Sequence, residues 1–202
     1  MNIKMKTILL LMALLCLSLA HDDHGYKCTH DDKEHPEPEI GHVDEENFPV
    51  QTDENGRRLA STSYSNLRTY GYYGFLSGSF KTYMEDRLGP AVLSYFSNAL
   101  KVKYPVSGKL KVTSSSVCSV TTPSVLKTGV TADYFIMWTG EYDKPASSTS
   151  TTWVAESYSC YLASGTKRPL VAKTLLNSAV FVNPGSNLLL HEKNIYMVLH
   201  EL

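Results

Sequence analysis

The fold is decided by the stretch Ser186-Asn-Leu-Leu-Leu-His-Glu-Lys-Asn-Ile-Tyr-Met-Val-Leu-His-Glu-Leu202. It opens with a turn signal. Apolar residues then cover nearly every face of a helix: Ile195, Tyr196, Met197, Val198, Leu199 and Leu202. A helix that is apolar all round is usually buried. We therefore predict a buried helix here and expect the rest of the chain to build its surroundings.

Two polar residues, His200 and Glu201, stand at the end of this helix, where an apolar environment makes them costly unless something binds them. In the motif His-Glu-x-x-His, two histidines on one helix face hold a zinc ion, and the glutamate polarises the metal-bound water. Only His-Glu-Leu is present, and the second histidine would fall two residues after Leu202. Two plainer interpretations are a chance His-Glu pair and a retrieval address that resembles His-Asp-Glu-Leu.

Length and charge limit the class of protein. The chain has 202 residues, 43% of them hydrophobic, which allows one domain with appendages and a sizeable core. The formal net charge is -1, and the Lys and Arg residues do not cluster into a stripe. We therefore expect no nucleic-acid partner.

Residues 1–20 are typical of a secretory signal peptide. Lys4 and Lys6 precede an apolar stretch over residues 8–17, and Ser18-Leu19-Ala20 offers a small-x-small cleavage site. The apolar stretch is shorter than the about 20 residues that a membrane anchor needs. The mature chain is therefore expected to be secreted or to lie at the cell surface.

Residues 21–58 are predicted to be a disordered pro-region, because they are rich in His, Asp and Glu and contain few large apolar residues. The segment ends at Asn55-Gly56-Arg57-Arg58, a turn signal with a paired basic site that a processing protease could cut. Five of the seven histidines fall in this segment, and they could simply chelate metal loosely.

Three cysteines remain after the signal peptide, Cys28, Cys118 and Cys160, and an odd number leaves one thiol over. A disulfide between Cys118 and Cys160 would tie a loop region to the sheet, which makes Cys28 the spare. A free Cys28 thiolate could occupy the open position of a catalytic zinc as a latency switch. Alternatively, Cys28 pairs elsewhere.

Residues 59–202 are predicted to form an α+β fold. Apolar residues at three and four spacing predict an amphipathic helix over residues 79–102, with Gly89-Pro90 marking its start or a kink. Short strands are expected over residues 66–75, 109–113, 133–142, 153–162 and 179–183. We expect these strands to form a twisted mixed sheet packed with two helices.

Several segments, taken in order, resemble the leishmanolysin-type zinc endopeptidases, a group of metzincins. The similarity extends from about residue 67 to the end of the chain. It is carried by Leu88-Gly89-Pro90-Ala91, Ala99-Leu100-Lys101-Val102, Val117-Cys118, Thr128-Gly129-Val130, Asp133-Tyr134-Phe135, Trp153-Val154-Ala155 before Cys160, and Val198-Leu199-His200-Glu201-Leu202. The resemblance implies a metzincin-like N-terminal subdomain that ends inside the His-Glu-x-x-His motif.

The resemblance also implies a function. The protein would be a Zn2+-dependent endopeptidase that cleaves protein substrates outside the cell or at its surface, and such proteins are often linked to cell adhesion. His200 would be the first zinc ligand, Glu201 the general base, and Cys28 the inhibitory cysteine of the pro-region. Because the 202 residues lack two ligands and the methionine turn, we expect them to be inactive as they stand.

Three further expectations concern the surroundings of this site. Metzincin substrates usually lie extended along an edge strand, which we place at residues 153–159. His191, nine residues before His200, does not fit a ligand spacing and is interpreted as a surface residue. A missing C-terminal part could attach the protein to a membrane.

Two other functions remain open from the sequence. One is a non-catalytic secreted surface or adhesion module that keeps the fold without the chemistry. The other is a small secreted protein that chelates metal through its His- and Asp-rich front.

Overall fold

The computed structural model describes residues 39–41, 64–141, 154–164 and 166–202. The predicted signal peptide and most of the predicted pro-region, including Cys28 and Arg57-Arg58, lie outside these residues. Within the described part, strands and helices form a mixed α+β fold, as predicted. No helix in that part is long and apolar enough to span a membrane.

Strands and helices alternate irregularly along the described residues. The strands are β1 Glu39–Gly41, β2 Ser65–Asn66, β3 Thr69–Phe75, β4 Lys101–Val102, β5 Ser116–Val117, β6 Val120–Thr121, β7 Tyr134–Glu141, β8 Ala155–Ala163 and β9 Pro169–Asn177. The α-helices are α1 Gly78–Tyr83, α2 Gly89–Ala99, α3 Ser124–Thr128 and α4 Leu188–Glu201. A π-helical turn, Met84–Leu88, joins α1 to α2.

A five-stranded sheet with the order β1-β8-β9-β7-β3 organises the fold. Strand β7 pairs in parallel with both β3 and β9, whereas β9 and β8 are antiparallel and β1 runs parallel to β8. Two strands therefore run opposite to the other three, which confirms a mixed sheet. The short pairs β2–β4 and β5–β6 lie outside it.

The central strand, β9, was not expected from the sequence. Its residues Leu170, Val171, Ala172, Thr174 and Leu176 are all buried. Leu170, Val171 and Ala172 form a short apolar run without alternation, and Lys173 and Thr174 then interrupt it, so the segment fits no simple strand pattern. Pro169 at its first position is compatible with a strand, because the first residue is one of the few places where a sheet accepts proline.

The strand expected over residues 179–183 is wrong. Val180 and Phe181 instead donate their N–H groups to the carbonyl oxygen of Asn177, at 2.9 and 3.1 Å, and so close a turn directly after β9. Phe181 is fully buried and packs in the core on the helical side of the sheet. The apolar character of this segment therefore reflects one buried turn residue rather than a ladder of strand hydrogen bonds.

The strand expected over residues 109–113 is also wrong. Leu110 forms only an isolated antiparallel bridge with Val130. Leu110 and Val112 are buried, whereas Lys109 and Lys111 are exposed. The strand-like alternation is thus produced by an extended segment that lies on the sheet face rather than within the sheet.

The helix expected over residues 79–102 is divided into three parts. Helix α1 passes through the π-helical turn into α2, which ends at Ala99, and the next residues pair as β4. Pro90 follows the π-helical turn directly, and because its nitrogen carries no hydrogen it cannot continue the backbone hydrogen bonds of that turn. A Cβ atom on Gly89 would stand 2.6 Å from the carbonyl oxygen of Met84, so this position accepts only glycine.

The sheet has a hydrophobic core on each face. One face is covered by helices, and the residues buried there include Tyr83, Met84, Leu88, Val92, Ile136, Trp138, Leu176 and Val198. The other face is covered by the irregular segment that holds α3, and the residues buried there include Val106, Leu110, Leu126, Phe135, Val171 and Tyr161. The sheet is therefore the middle layer of the fold.

A buried carboxylate, Asp133, joins three segments at the start of β7. Its oxygens accept hydrogen bonds from Arg68 Nε at 2.8 Å and Arg68 Nη2 at 3.0 Å, and from the backbone N–H of Arg68 and of Val106 at 3.1 and 2.6 Å. Arg168, which precedes β9, donates to the backbone carbonyl of Asp133 at 2.9 Å. Asp133 thereby ties the starts of β3, β7 and β9 to the segment that covers the sheet.

The electrostatics of Asp133 follow from these contacts. Burial alone would raise the pKa of its carboxyl group. The hydrogen bonds from Arg68 and from the two backbone N–H groups outweigh burial, and the pKa is lowered. Because the folded-state pKa lies below the unfolded value of about 3.9, the ionised carboxylate stabilises the fold above that pH, and the contribution is lost in more acid solution.

A disulfide joins Cys118 to Cys160, the pairing expected from the sequence, with the Cα atoms 5.2 Å apart. Cys118 and Ser119 have positive φ angles of 54° and 59° and form the two-residue turn between β5 and β6. Two consecutive positive φ values define the type I′ turn, whose twist matches that of a β-hairpin. The bond fastens this hairpin to β8 in the main sheet.

We expect Asp133→Ala to lower the free energy of unfolding by about 3–5 kcal/mol, because it leaves Arg68 and two backbone N–H groups without their buried acceptor. Urea denaturation at pH 7 followed by circular dichroism measures the change. Asp86→Ala removes an exposed carboxylate and is the control, with an expected effect within about 0.5 kcal/mol. Equal stabilities of the two variants would show that the buried network contributes nothing.

We expect the double substitution Cys118→Ala and Cys160→Ala to lower the free energy of unfolding by about 4 kcal/mol, because the bond closes a loop with a sequence separation of 42. Chemical denaturation under oxidising conditions gives the value. Cys28→Ala is the matched control, because Cys28 takes no part in the Cys118–Cys160 bond. A larger loss in the Cys28 variant would contradict the pairing.

Candidate functional site

Helix α4, which carries His200 and Glu201, begins at a well-defined N-terminus. Asn187 accepts a hydrogen bond from the backbone N–H of Leu190 at 3.1 Å through its side-chain oxygen, as an N-cap residue does. The preceding turn is closed by Asn183, whose side chain accepts from the N–H of Gly185 at 3.0 Å. Gly185 has a φ of 58°, which favours glycine. The turn signal in the sequence therefore sets the start of the helix.

One face of α4 is packed and the other is exposed. Asn194 and Val198 are buried where the helix contacts α2, β8 and the π-helical turn. Leu188, Leu189 and Tyr196 are 68%, 78% and 71% exposed. The prediction of a helix buried on every side is therefore wrong for the described structure. The apolar residues divide between a core face and an uncovered side.

His200 lies on the exposed side of α4. At 3.6 residues per turn, Leu189, Tyr196 and His200 fall within about 40° of one another around the helix axis. The imidazole is exposed and the neighbouring Glu201 is half-buried. The expectation that both groups would be costly buried residues is thus corrected, because the helix presents His200 to solvent on the same side as Leu189 and Tyr196.

The described residues do not by themselves form a zinc site. A structural zinc site needs four protein ligands and a catalytic one three. No group of three or more His, Cys, Asp or Glu side chains within metal-binding reach occurs among the described residues. His200 is thus a single imidazole, and Cys28, the expected inhibitory ligand, lies outside the described residues.

A buried polar network on the packed face of α4 was missed by the sequence reasoning. The hydroxyl of Tyr83, a residue only 1% exposed, accepts a hydrogen bond from the Asn194 amide at 2.9 Å and lies 3.0 Å from Nδ1 of His191. These contacts join α1 to α4. One signal was present in the sequence, since His191, Asn194 and Val198 follow the three and four spacing of a single helix face.

The network corrects the interpretation of His191 as a surface residue. Its ring is half-buried and meets the Tyr83 ring edge to face, with centroids 5.9 Å apart. Burial and the nearby Arg87 lower the pKa of His191, whereas Glu192 opposes them. Burial raises the pKa of Tyr83, against the hydrogen bond from Asn194. The lowered pKa favours a neutral imidazole at pH 7, and the tautomer decides whether Nδ1 or the Tyr83 hydroxyl donates this hydrogen bond.

Strand β8 holds the residues expected to form the substrate edge. In the structure it is the second strand of the sheet, because β1 pairs with its C-terminal part at Tyr161, Leu162 and Ala163. The expected edge at residues 153–159 lies N-terminal to this pairing, and residue 153 is outside the described part. Helix α4 packs against β8, so the sheet edge and His200 belong to adjoining elements.

We expect the stability of the protein to fall between pH 7.5 and pH 5 more steeply than that of a His191→Gln variant. The folded state lowers the pKa of His191 below its unfolded value of about 6.5, so its contribution is present above that pH and is lost as the pH falls. Urea denaturation at both pH values measures the difference. Parallel pH profiles for the two proteins would show that His191 does not contribute.

Comparisons with known proteins do not assign this site. No protein-family model matches the chain, and a search of curated proteins finds no match. The functional assignment therefore depends on the residues themselves and on how α4 presents them.

Proposed function

We propose that the chain is the N-terminal part of the catalytic domain of a secreted, leishmanolysin-type zinc endopeptidase. His200 is assigned as the first zinc ligand and Glu201 as the general base. The observation that carries the proposal is the exposed imidazole of His200 on the last turn of a helix whose opposite face is firmly packed. A metal ligand must be open to the metal, and α4 leaves the imidazole exposed while the packing of its opposite face holds the helix that carries it.

The orientation of α4 is held from two sides. Val198 is fully buried in the core on the helical face of the sheet. Six residues before His200, Asn194 donates to the buried hydroxyl of Tyr83. A polar contact and an apolar contact on the same face together prevent the helix from rotating. His200 is consequently held on the exposed side.

The exposed apolar side chains of α4 belong to the same proposal. Leu188, Leu189 and Tyr196 are large side chains that the described residues leave exposed. Leu189 and Tyr196 are about two turns apart on this face, and Glu192 and Lys193 lie between them, so they are separate exposed side chains rather than one patch. On our proposal, residues that follow Leu202 cover these side chains and contribute the remaining histidines, so that zinc is held between them and α4.

The predicted pro-region belongs to the same proposal. A thiolate at Cys28 would keep the enzyme latent, and a cut at Arg57-Arg58 would release the pro-region. Both positions lie outside the described residues. The protein substrates, the link to cell adhesion and a membrane attachment are likewise proposals that come with the family resemblance.

The first test reads the coding sequence beyond Leu202. We expect a histidine four residues after His200, with a third histidine and a methionine turn further on. A stop codon, or a continuation without histidines, would sink the peptidase assignment. It would leave the non-catalytic surface module, for which the exposed side of α4 would be the binding face.

The second test uses the complete protein after removal of the pro-region. Glu201→Gln is expected to retain zinc and to lower kcat on a protein substrate at least about 100-fold, since general-base catalysis contributes about that much or more. His200→Ala is expected to lose both zinc and activity. Glu192→Gln, an exposed carboxylate on the same helix, is the matched control. Zinc and activity that survive in His200→Ala would contradict the assigned roles.

A further inference from the structure

Strand β1 comes from the segment that the sequence predicts to be a pro-region, yet it belongs to the main sheet. Glu39, Ile40 and Gly41 pair in parallel with Tyr161, Leu162 and Ala163 of β8. Residues 42–63, which connect β1 to the rest of the fold, lie outside the described part. A distant part of the chain is thus laid along the edge of β8 as an added strand.

The backbone of Leu162 carries this pairing. Ala163 directs its N–H to Arg168 and its carbonyl to Lys167, both at 2.9 Å, in the turn that leads to β9. Successive residues of a strand direct their N–H and C=O groups to opposite edges. Leu162 therefore presents its backbone groups to β1. With Ile40 opposite Leu162, the parallel register pairs Leu162 N–H with the Glu39 carbonyl and Gly41 N–H with the Leu162 carbonyl.

This part of β8 is held by a covalent bond and by burial. Cys160 is joined to Cys118 by the disulfide, while Tyr161 and Ala163 are 8% and 1% exposed. The register against β9 shifts on both sides of Tyr161, and such bulges turn a strand locally. The edge that receives β1 is therefore built by the fold itself and does not depend on β1 for its shape.

A three-residue strand has little affinity of its own. Each ladder hydrogen bond adds only about 0.5–1.5 kcal/mol, so a free peptide would bind only at high concentration. Attachment to the same chain supplies an effective concentration in the millimolar range. The occupancy of the edge therefore depends on residues 42–63 remaining intact, and the paired basic site Arg57-Arg58 stands within them.

We infer that the edge of β8 at Tyr161–Ala163 is a docking site for an extended polypeptide, and that Glu39–Gly41 is its built-in occupant. A cut at Arg57-Arg58 frees the occupant and opens the edge to another strand that runs parallel to β8. Recognition is through the backbone of Leu162, so the guest needs an N–H group at the position that corresponds to Gly41. The inference does not require a zinc site, because it concerns backbone pairing alone.

Hydrogen exchange on the full chain, read by mass spectrometry, tests the inference. Cutting with a protease specific for paired basic residues is expected to speed exchange in the β8 segment around Leu162 at least about fivefold, while β7 stays unchanged as the internal measure of folding. A chain with Arg57→Gln and Arg58→Gln, treated in the same way, is expected to show no change. Unchanged protection in the cut protein would overturn the inference.

A synthetic peptide of residues 36–44 provides the second arm. Added at millimolar concentration to the cut protein, it is expected to restore protection of the Leu162 segment. A peptide with Gly41→Pro lacks the N–H that pairs with β8 and is expected to fail. A peptide with Ile40→Pro loses an N–H that points away from β8 and is expected to bind more strongly than the Gly41→Pro peptide. Equal binding of the two proline peptides, or none by the natural peptide, would refute the docking site, whatever the outcome of the peptidase tests.

Discussion

The ionised carboxylate of Asp133 is the constraint on which the rest of the structure depends. It is fully buried, and its oxygens are satisfied by Arg68 and by the backbone of Val106. A buried charge is tolerated only when it is paired and hydrogen-bonded. Each partner lies in a different segment, so satisfying this one charge requires those segments to meet. The starts of β3 and β7 and the segment covering the sheet are thereby brought together.

The layers of the fold are arranged around Asp133 at the start of β7. Strand β7 leaves Asp133 with Phe135 and Met137 directed to one core and Ile136 and Trp138 to the other. Because successive side chains of a strand point to opposite faces, one strand supplies both cores. The helices cover one face, and the segment fastened by the disulfide covers the other. Helix α4 completes the helical layer through Val198.

The position of α4 explains why the candidate site is exposed and yet ordered. Its packed face combines the apolar contact of Val198 with the hydrogen bonds among Tyr83, His191 and Asn194. Its other face presents exposed apolar side chains and His200. The helix also packs against β8, the strand whose edge receives the segment Glu39–Gly41. The helix that carries His200 and the strand that receives Glu39–Gly41 are therefore adjacent.

The sequence by itself determined the α+β class, the strands around β7 and β8 and the start of α4, because periodicity and turn residues are local signals, whereas the structure decided which of three cysteines pair. Only the tertiary structure decided that β9 is central, that His191 faces Tyr83, that Glu39–Gly41 joins the sheet and that His200 is exposed. These features depend on which distant segment covers each face. The sequence of a helix that is apolar on every side does not show which face will pack against the sheet. A strand that is buried on both faces lacks the alternation of polar and apolar residues by which a strand is recognised.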